Sequence, residues 1–274
     1  MPRRARLLPF LGFLTIRLTK NAKHGMFAAD RTATTNTQPL LIPFGGRGKG
    51  PAPADSLSTV LFHPSGGRLG PYLGLVGHLS RRGPVSGVRG RGLHPGESPH
   101  DDVRAMADLY AGLLSELPEP PGLLAGWSLG GLLAWEVAHR LPADGPRPAV
   151  VMVDSFAEPW SACHTARGQL RERILGGLPA TTSAEERARA AHTADAHLTA
   201  SAAHRATTGR PGPALLLACA SEERAAQKDD WLRRDPSLDV RALPCAHFEV
   251  FDAARPLLLR HVDDFLTAHV PARP

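Results

Sequence analysis

Six consecutive residues, Gly126-Trp127-Ser128-Leu129-Gly130-Gly131, have the types and order that nucleophilic chemistry needs. They fit G-x-S-x-G, and they follow a short apolar run and open a helical pattern, which is the context that motif requires. The glycines beside the serine relieve crowding, so Ser128 can occupy a strained turn with its hydroxyl exposed. A helix N-terminus behind it favours the negative charge that develops when an acyl group is transferred.

A serine hydroxyl is a poor nucleophile at neutral pH, so a general base and an orienting acid are expected downstream, in the order acid then His. Asp154 stands directly after the apolar run Ala149–Val153, at a strand end where open α/β sheets place functional groups. Glu222 and Glu223, just after the following strand, are its rivals; Asp154 is preferred because it abuts its strand. Of thirteen histidines, His247 lies shortly after the last apolar run and before the terminal helix, where the base belongs. His139, His261 and His269 fall on helices, and His192, His197 and His204 in an Ala-rich stretch, all read as solvated or packing residues. An oxyanion needs two N–H donors: Leu129, after the nucleophile, and Ser65, in the loop His63-Pro64-Ser65-Gly66-Gly67.

The elements that must position these residues alternate between strand and helix. Strands are predicted at Leu40–Phe44, Thr59–Phe62, Val85–Val88, Gly122–Ala125, Ala149–Val153, Ala214–Cys219 and Val240–Leu243. Helical spacing marks Tyr72–Leu79, Asp101–Leu117, Leu129–Arg140 and Arg255–His269. This alternation implies an α/β fold with a mostly parallel sheet and right-handed crossovers. Between Phe156 and Arg210 the sequence turns Ala-rich, charged and helical, which reads as an insertion. That stretch has no aromatic residue after Trp160, so an aliphatic or polar channel is expected beneath it.

With 274 residues, one α/β domain with an insertion is the natural size. The net charge of +6 suits an acidic partner, yet no aromatic residues interleave a basic patch, so nucleic acid is not expected. Three cysteines without metal-ligand spacing argue for a reducing compartment, a cytoplasmic location and no zinc. Residues 1–38 read as a disordered or leader extension, and residues 39–270 as the catalytic domain. Arg3, Arg4 and Arg6 precede an apolar run, Leu7–Ile16, that is signal-like but too short to span a bilayer. Arg17, Lys20 and Lys23 follow it without a good cleavage site, and Met26 is an alternative start.

Four segments, Leu61–Gly67, Gly126–Gly131, Val151–Ser155 and Ala246–Glu249, together resemble the thioesterase domains that end nonribosomal peptide and polyketide assembly lines. The resemblance implies an α/β-hydrolase fold with a helical lid at about 156–210. It implies an acyl-O-serine intermediate on Ser128, resolved by water or by a nucleophile of the substrate, in secondary metabolism. The substrate would arrive as a small-molecule acyl group on the phosphopantetheine arm of an acyl or peptidyl carrier protein, with no cofactor, metal or membrane needed. Trp127 and Asp154 resemble the chain-releasing type rather than the editing type, which tends to carry GHSMGA at the elbow. The sequence as given has no carrier domain, so action in trans and action as an excised domain both stay open. Two alternatives remain: a secreted or cytoplasmic carboxylic ester hydrolase, and a non-catalytic module that binds an acyl carrier.

Overall fold

Several strands of this chain are apolar at odd and even positions alike, a pattern that belongs to a sheet covered on both faces. The computed structural model describes residues 38–45, 56–143, 145–159, 164–220 and 225–270, and it has this arrangement. The predicted extension at 1–38 lies outside the described residues except for its last residue.

One sheet holds β1 (Leu41–Phe44), β2 (Thr59–Phe62), β3 (Val85–Val88), β4 (Leu123–Trp127), β5 (Ala149–Val153), β6 (Ala214–Cys219) and β7 (Asp239–Leu243). The order is β1-β3-β2-β4-β5-β6-β7, parallel throughout except that the edge strand β1 runs antiparallel to β3. The helices are α1 (Leu73–Leu79), α2 (Val103–Ser115), α3 (Leu129–Arg140), α4 (His164–Gly176), α5 (Ala184–Ala203), α6 (Ala225–Arg234) and α7 (Arg255–His269).

Alternate residues of each central strand feed two separate cores. Phe62, Leu124, Val150, Met152 and Leu216 pack on one face against Met106 and Tyr110 of α2 and Leu133 and Val137 of α3. Leu61, Leu123, Val151, Leu215 and Leu217 pack on the other against Leu75 and Leu79 of α1 and Leu258, Val262 and Phe265 of α7. Each fully buried side chain of this size contributes roughly 1.5–3 kcal/mol, so the centre of the sheet is its rigid part.

Helix ends follow local chemistry. Asp102 caps α2, its carboxylate accepting from Ala105 N–H at 2.7 Å. Ser183 and Glu186 form a reciprocal capping box at the start of α5. Between β5 and β6 stand α4 and α5, and the described residues there include no strand, in keeping with a helical insertion.

Parallel strands put their carboxyl ends on one edge. β3 flanks β2 on one side and β4 on the other, so the chain order reverses at β2, and the connections after β2 and β4 part to open a crevice. The loops carrying Ser65, Ser128, Asp154 and His247 all leave from that edge.

Candidate active site

Ser128 sits between β4 and α3 with φ 58° and ψ −125°, a conformation that costs a non-glycine residue on the order of 1–3 kcal/mol. Its N–H donates to Val153 O of β5 at 2.8 Å, tying the turn to the neighbouring strand. The tightness of the turn explains two of its glycines. A Cβ on Gly126 would lie 2.2 Å from the carbonyl carbon of Gly130, and one on Gly130 would lie 2.2 Å from Phe62 O. Tyr72 braces the same corner: its hydroxyl donates to Phe62 O at 2.5 Å and accepts from Trp127 N–H at 2.9 Å. Burial pushes this phenol well above the usual tyrosine range.

Asp154 follows β5 with φ 48° and is wholly buried. One carboxylate oxygen accepts from the N–H of Cys219 at 3.1 Å, and the other lies 2.6 Å from His247 Nδ1. A carboxylate only accepts, so the Nδ1 of His247 carries the proton and its Nε2 keeps a lone pair. The ring opens the short turn His247–Glu249 after β7, where the Glu249 carboxylate accepts from Ala246 N–H at 3.0 Å. The indole of Trp127, the residue before Ser128, packs 4.7 Å from the His247 ring. Cys219 and Cys245 bring their sulfurs within 3.8 Å of each other beside this pair.

Ser65, Trp127, Ser128 and His247 line one cavity of about 950 Å³. Helices α4 and α5 form its far wall through Leu170, Ile174, Leu175 and Ala190, together with Arg173 and Arg189. The wall from the insertion is thus aliphatic with charges of both signs, since Glu186 of α5 lines it beside the two arginines, and Trp127 and Phe248 contribute aromatic rings. Arg89, which also lines the cavity, donates from both terminal guanidinium nitrogens to Glu97 at 2.6 and 2.9 Å, which secures the loop after β3. Among the described residues no group of three or more His, Cys, Asp and Glu side chains is placed to hold a metal ion.

The residues singled out in the sequence fall as follows. Asp154 and His247 are in contact, and Ser128, Ser65 and His247 face one cavity. The N–H groups of Ser65 and Leu129 have no hydrogen-bond acceptor among the described residues, so both can serve a ligand. Glu222 and Glu223, the rival acids, lie outside the described residues.

Other engaged residues were not singled out in the sequence. His197 and His204, read as solvated or packing side chains, are buried and engaged: His197 Nδ1 reaches Ser65 O at 2.9 Å, and His204 Nε2 reaches Glu136 at 3.0 Å. Glu136 is buried on α3 and also accepts from Thr207 N–H and Oγ1 and from Arg140. Burial pushes its carboxyl up, but the bonds from His204, Thr207 and Arg140 outweigh that and hold it at about 2. The available signal was a carboxylate inside an otherwise apolar helix, with Arg140 four residues on.

A family model described as Thioesterase domain matches residues 59–266, and the chain belongs to that family. A stretch of 100 residues is 37% identical to aspulvinone E synthetase melA of Aspergillus terreus, covering 36% of this chain and 10% of that protein. Another of 86 residues is 38% identical to nonribosomal peptide synthetase btyA of the same fungus, covering 31% of this chain and 9% of that protein. The chain therefore spans about a tenth of the length of these curated relatives. Among solved structures, the RedJ thioesterase from the prodiginine biosynthetic pathway in Streptomyces coelicolor is 29% identical with a TM-score of 0.63, covering 77% of this chain and 90% of that one. YbtT, a type II thioesterase of the yersiniabactin pathway, has a TM-score of 0.64 at 20% identity over 84% of this chain and all of that one, a likeness of fold.

Proposed function

We propose that this chain is a serine thioesterase that takes an acyl or peptidyl group from the phosphopantetheine arm of a carrier protein and releases it in natural-product biosynthesis. The observation that carries the reading is the 2.6 Å contact between His247 and the buried Asp154, made at the cavity that Ser128 also faces from a left-handed turn. In the first step the Ser128 hydroxyl oxygen bonds to the thioester carbonyl carbon while its proton passes to His247 Nε2. The carbonyl oxygen becomes an oxyanion, held by the N–H groups of Ser65 and Leu129, each donor contributing roughly 3–4 kcal/mol to the lowered barrier. The carbon–sulfur bond then breaks, and the departing thiolate takes the proton from His247.

The acyl-O-serine is resolved by the reverse order of events. Water, or a hydroxyl or amine of the acyl chain itself, gives its proton to His247 as it attacks, and Ser128 leaves with that proton. Hydrolysis yields the acid, and internal attack yields a ring. The cavity of about 950 Å³ is large enough for either course with a drug-sized acyl group. Helices α4 and α5 act as a lid over it, in keeping with their place between β5 and β6.

The test is intact-mass spectrometry of the protein after exposure to a panel of acyl-pantetheine and carrier-bound thioesters. A mass gain equal to the acyl group is expected on the parent and absent from Ser128→Ala. Parental turnover by Ser128→Ala would refute the assignment.

A further inference from the structure

Two imidazoles that take no part in the chemistry described above bracket Ser65. We propose that His63 and His197 are positioning residues that fix the two peptide groups on either side of Ser65 and so aim its N–H at the oxyanion. The inference rests on the reading that the Ser65 N–H is an oxyanion donor.

The Ser65 N–H belongs to the Pro64–Ser65 peptide, a rigid plane in which N–H and C=O point in opposite directions. The carbonyl end of that plane is held twice, by His63 Nδ1 at 2.9 Å and by Gly67 N–H at 2.8 Å. With the carbonyl held in two places, the N–H at the other end cannot swing. The next peptide is held as well, because His197 Nδ1 lies 2.9 Å from Ser65 O. Hydrogen bonds donated to a peptide carbonyl also polarise its N–H, which strengthens that group as a donor.

Carbonyl oxygens only accept, so both histidines carry their proton on Nδ1. The other nitrogen of His63 then accepts from the Tyr110 hydroxyl at 2.8 Å, locking the ring to α2. The His197 ring stacks on it at 4.7 Å with an interplanar angle of 20°. Both rings are buried, and burial keeps His63 neutral by lowering its pKa to about 4.

The remaining nitrogen of His197 is buried without a hydrogen-bond partner among the described residues. Leaving such an atom bare is unfavourable, and a leucine would fill the space without that cost. What a leucine lacks is the Nδ1–H on Ser65 O. His197 comes from α5, so the insertion that walls the cavity also holds one side of the oxyanion loop. A movement of α5 away from the sheet would release the Ser65 carbonyl, linking closure of the cavity to assembly of the oxyanion site.

The test compares acylation by an acyl-pantetheine thioester, and binding of an alkyl trifluoromethyl ketone that forms an oxyanion on serine, in four proteins. His197→Leu removes the donor. His197→Asn restores one at the same reach, and His63→Asn does the same for the other ring. The fourth protein carries an ester in place of the Pro64–Ser65 amide, which deletes the N–H while keeping the Pro64 carbonyl as a weaker acceptor for His63 and Gly67. The ester is expected to lower kcat by about 10²–10³-fold, as loss of one oxyanion donor does. His197→Leu is expected to lower kcat by about 10–100-fold with KM within about threefold, weakening the ketone in proportion, and both Asn variants to stay within about fivefold of parent.

If the ester costs activity but His197→Leu stays within twofold of parent, the inference fails and the Ser65 reading stands. If the ester costs nothing, the Ser65 reading fails and the inference goes with it. If His197→Asn is as impaired as His197→Leu, with KM raised and ketone binding unchanged, the role is packing and the proposal is overturned. Should His197→Leu not fold, His197→Phe, which keeps the stack and lacks the donor, is read in its place.

Discussion

Asp154 accepts the Nδ1 proton of His247 across 2.6 Å, joining the end of β5 to the loop after β7 although β6 lies between those strands. Cys219, at the end of β6, closes the gap by giving its backbone N–H to the other carboxylate oxygen. Three adjacent strand ends therefore meet at one buried carboxylate, and the tautomer of His247 is set by the sheet rather than by the loop that bears it.

Asp154→Asn tests that relationship. The Cys219 N–H requires an oxygen at one position, so the amide NH₂ of the variant must face His247. The ring then has to accept at Nδ1, which moves its proton to Nε2, where it can no longer receive one from Ser128. Turnover of a pantetheine thioester is expected to fall by about 10⁴-fold with the circular dichroism spectrum unchanged. A fall of less than about tenfold would mean that Asp154 is not the acid of this site.

Gly130→Ala sets two effects against each other. In a helix alanine is favoured over glycine by roughly 1 kcal/mol. Here the added carbon would lie 2.2 Å from Phe62 O and 2.8 Å from the Tyr72 hydroxyl, so α3 must shift away from the sheet. Steric strain is expected to win by about 1–3 kcal/mol, lowering the urea midpoint. Activity should suffer more than stability, because the shift moves Ser128 and the Leu129 N–H together. A midpoint at or above the parent's would show that the contact relaxes without moving the helix.

The elbow was legible because its constraints are local: both flanking glycines, the serine and the helix it opens are consecutive in the chain. Strands β5 and β6 were legible because a run such as Ala149–Val153 is apolar at every position. The last two residues of β4, Gly126 and Trp127, were not assigned to it, since a glycine ahead of a motif looks like the start of the turn. Helix α6 was missed because Ala225–Arg234 is mostly polar and only Trp231 and Leu232 suggest an inner face. Asp154 and His247 could be placed at strand ends from the sequence, but their contact could not. The bonds of His197 to Ser65 and of His204 to Glu136 span 132 and 68 residues, and the Ala-rich pattern of α5 offers no sharp face to suggest which side is buried.

Glu136→Gln should destabilise the protein without touching the cavity. The carboxylate receives His204 Nε2, Thr207 N–H, Thr207 Oγ1 and Arg140, all donors, between 2.7 and 3.0 Å. Glutamine presents an NH₂ to one side of that group and leaves buried donors, one of them cationic, without an acceptor. The expected cost is about 3–5 kcal/mol by urea denaturation, as for breaking a buried ion pair from one side. Amide exchange should quicken first near Thr207, which this carboxylate ties to α3. Equal protection in parent and variant would show that the segment is held by other contacts.

Acid should weaken the fold well above the usual carboxylate range, and His63 gives the reason. Its ordinary pKa of 6.5 is lowered to about 4, chiefly by burial and further by the nearby His100, against a smaller opposite effect from the bond to Pro64 O. Between those two values the unfolded chain binds a proton at this ring that the folded chain refuses. Stability is therefore full above about pH 6.5, falls as pH drops towards 4, and loses nothing more from this ring below that. At 1.36 kcal/mol per pKa unit the loss is roughly 3 kcal/mol. His197 acts in the same direction, lowered by burial and by the neighbouring His63 and His100. The groups acting on the pair are the Tyr110 hydroxyl, the carbonyls of Pro64 and Ser65, and His100, and none of these is a carboxylate that would hold an imidazolium there. Glu136, held at about 2, adds a second loss only as pH falls from 4.5 towards that value. Urea midpoints at pH 7.5, 5.5 and 4.5 should thus descend steadily in the parent, and in His63→Asn, which has no proton to gain at that site, the descent should be shallower. A parent midpoint that stays level down to pH 4.5, or a descent that His63→Asn leaves unaltered, would show that the ring is not the group the fold keeps neutral.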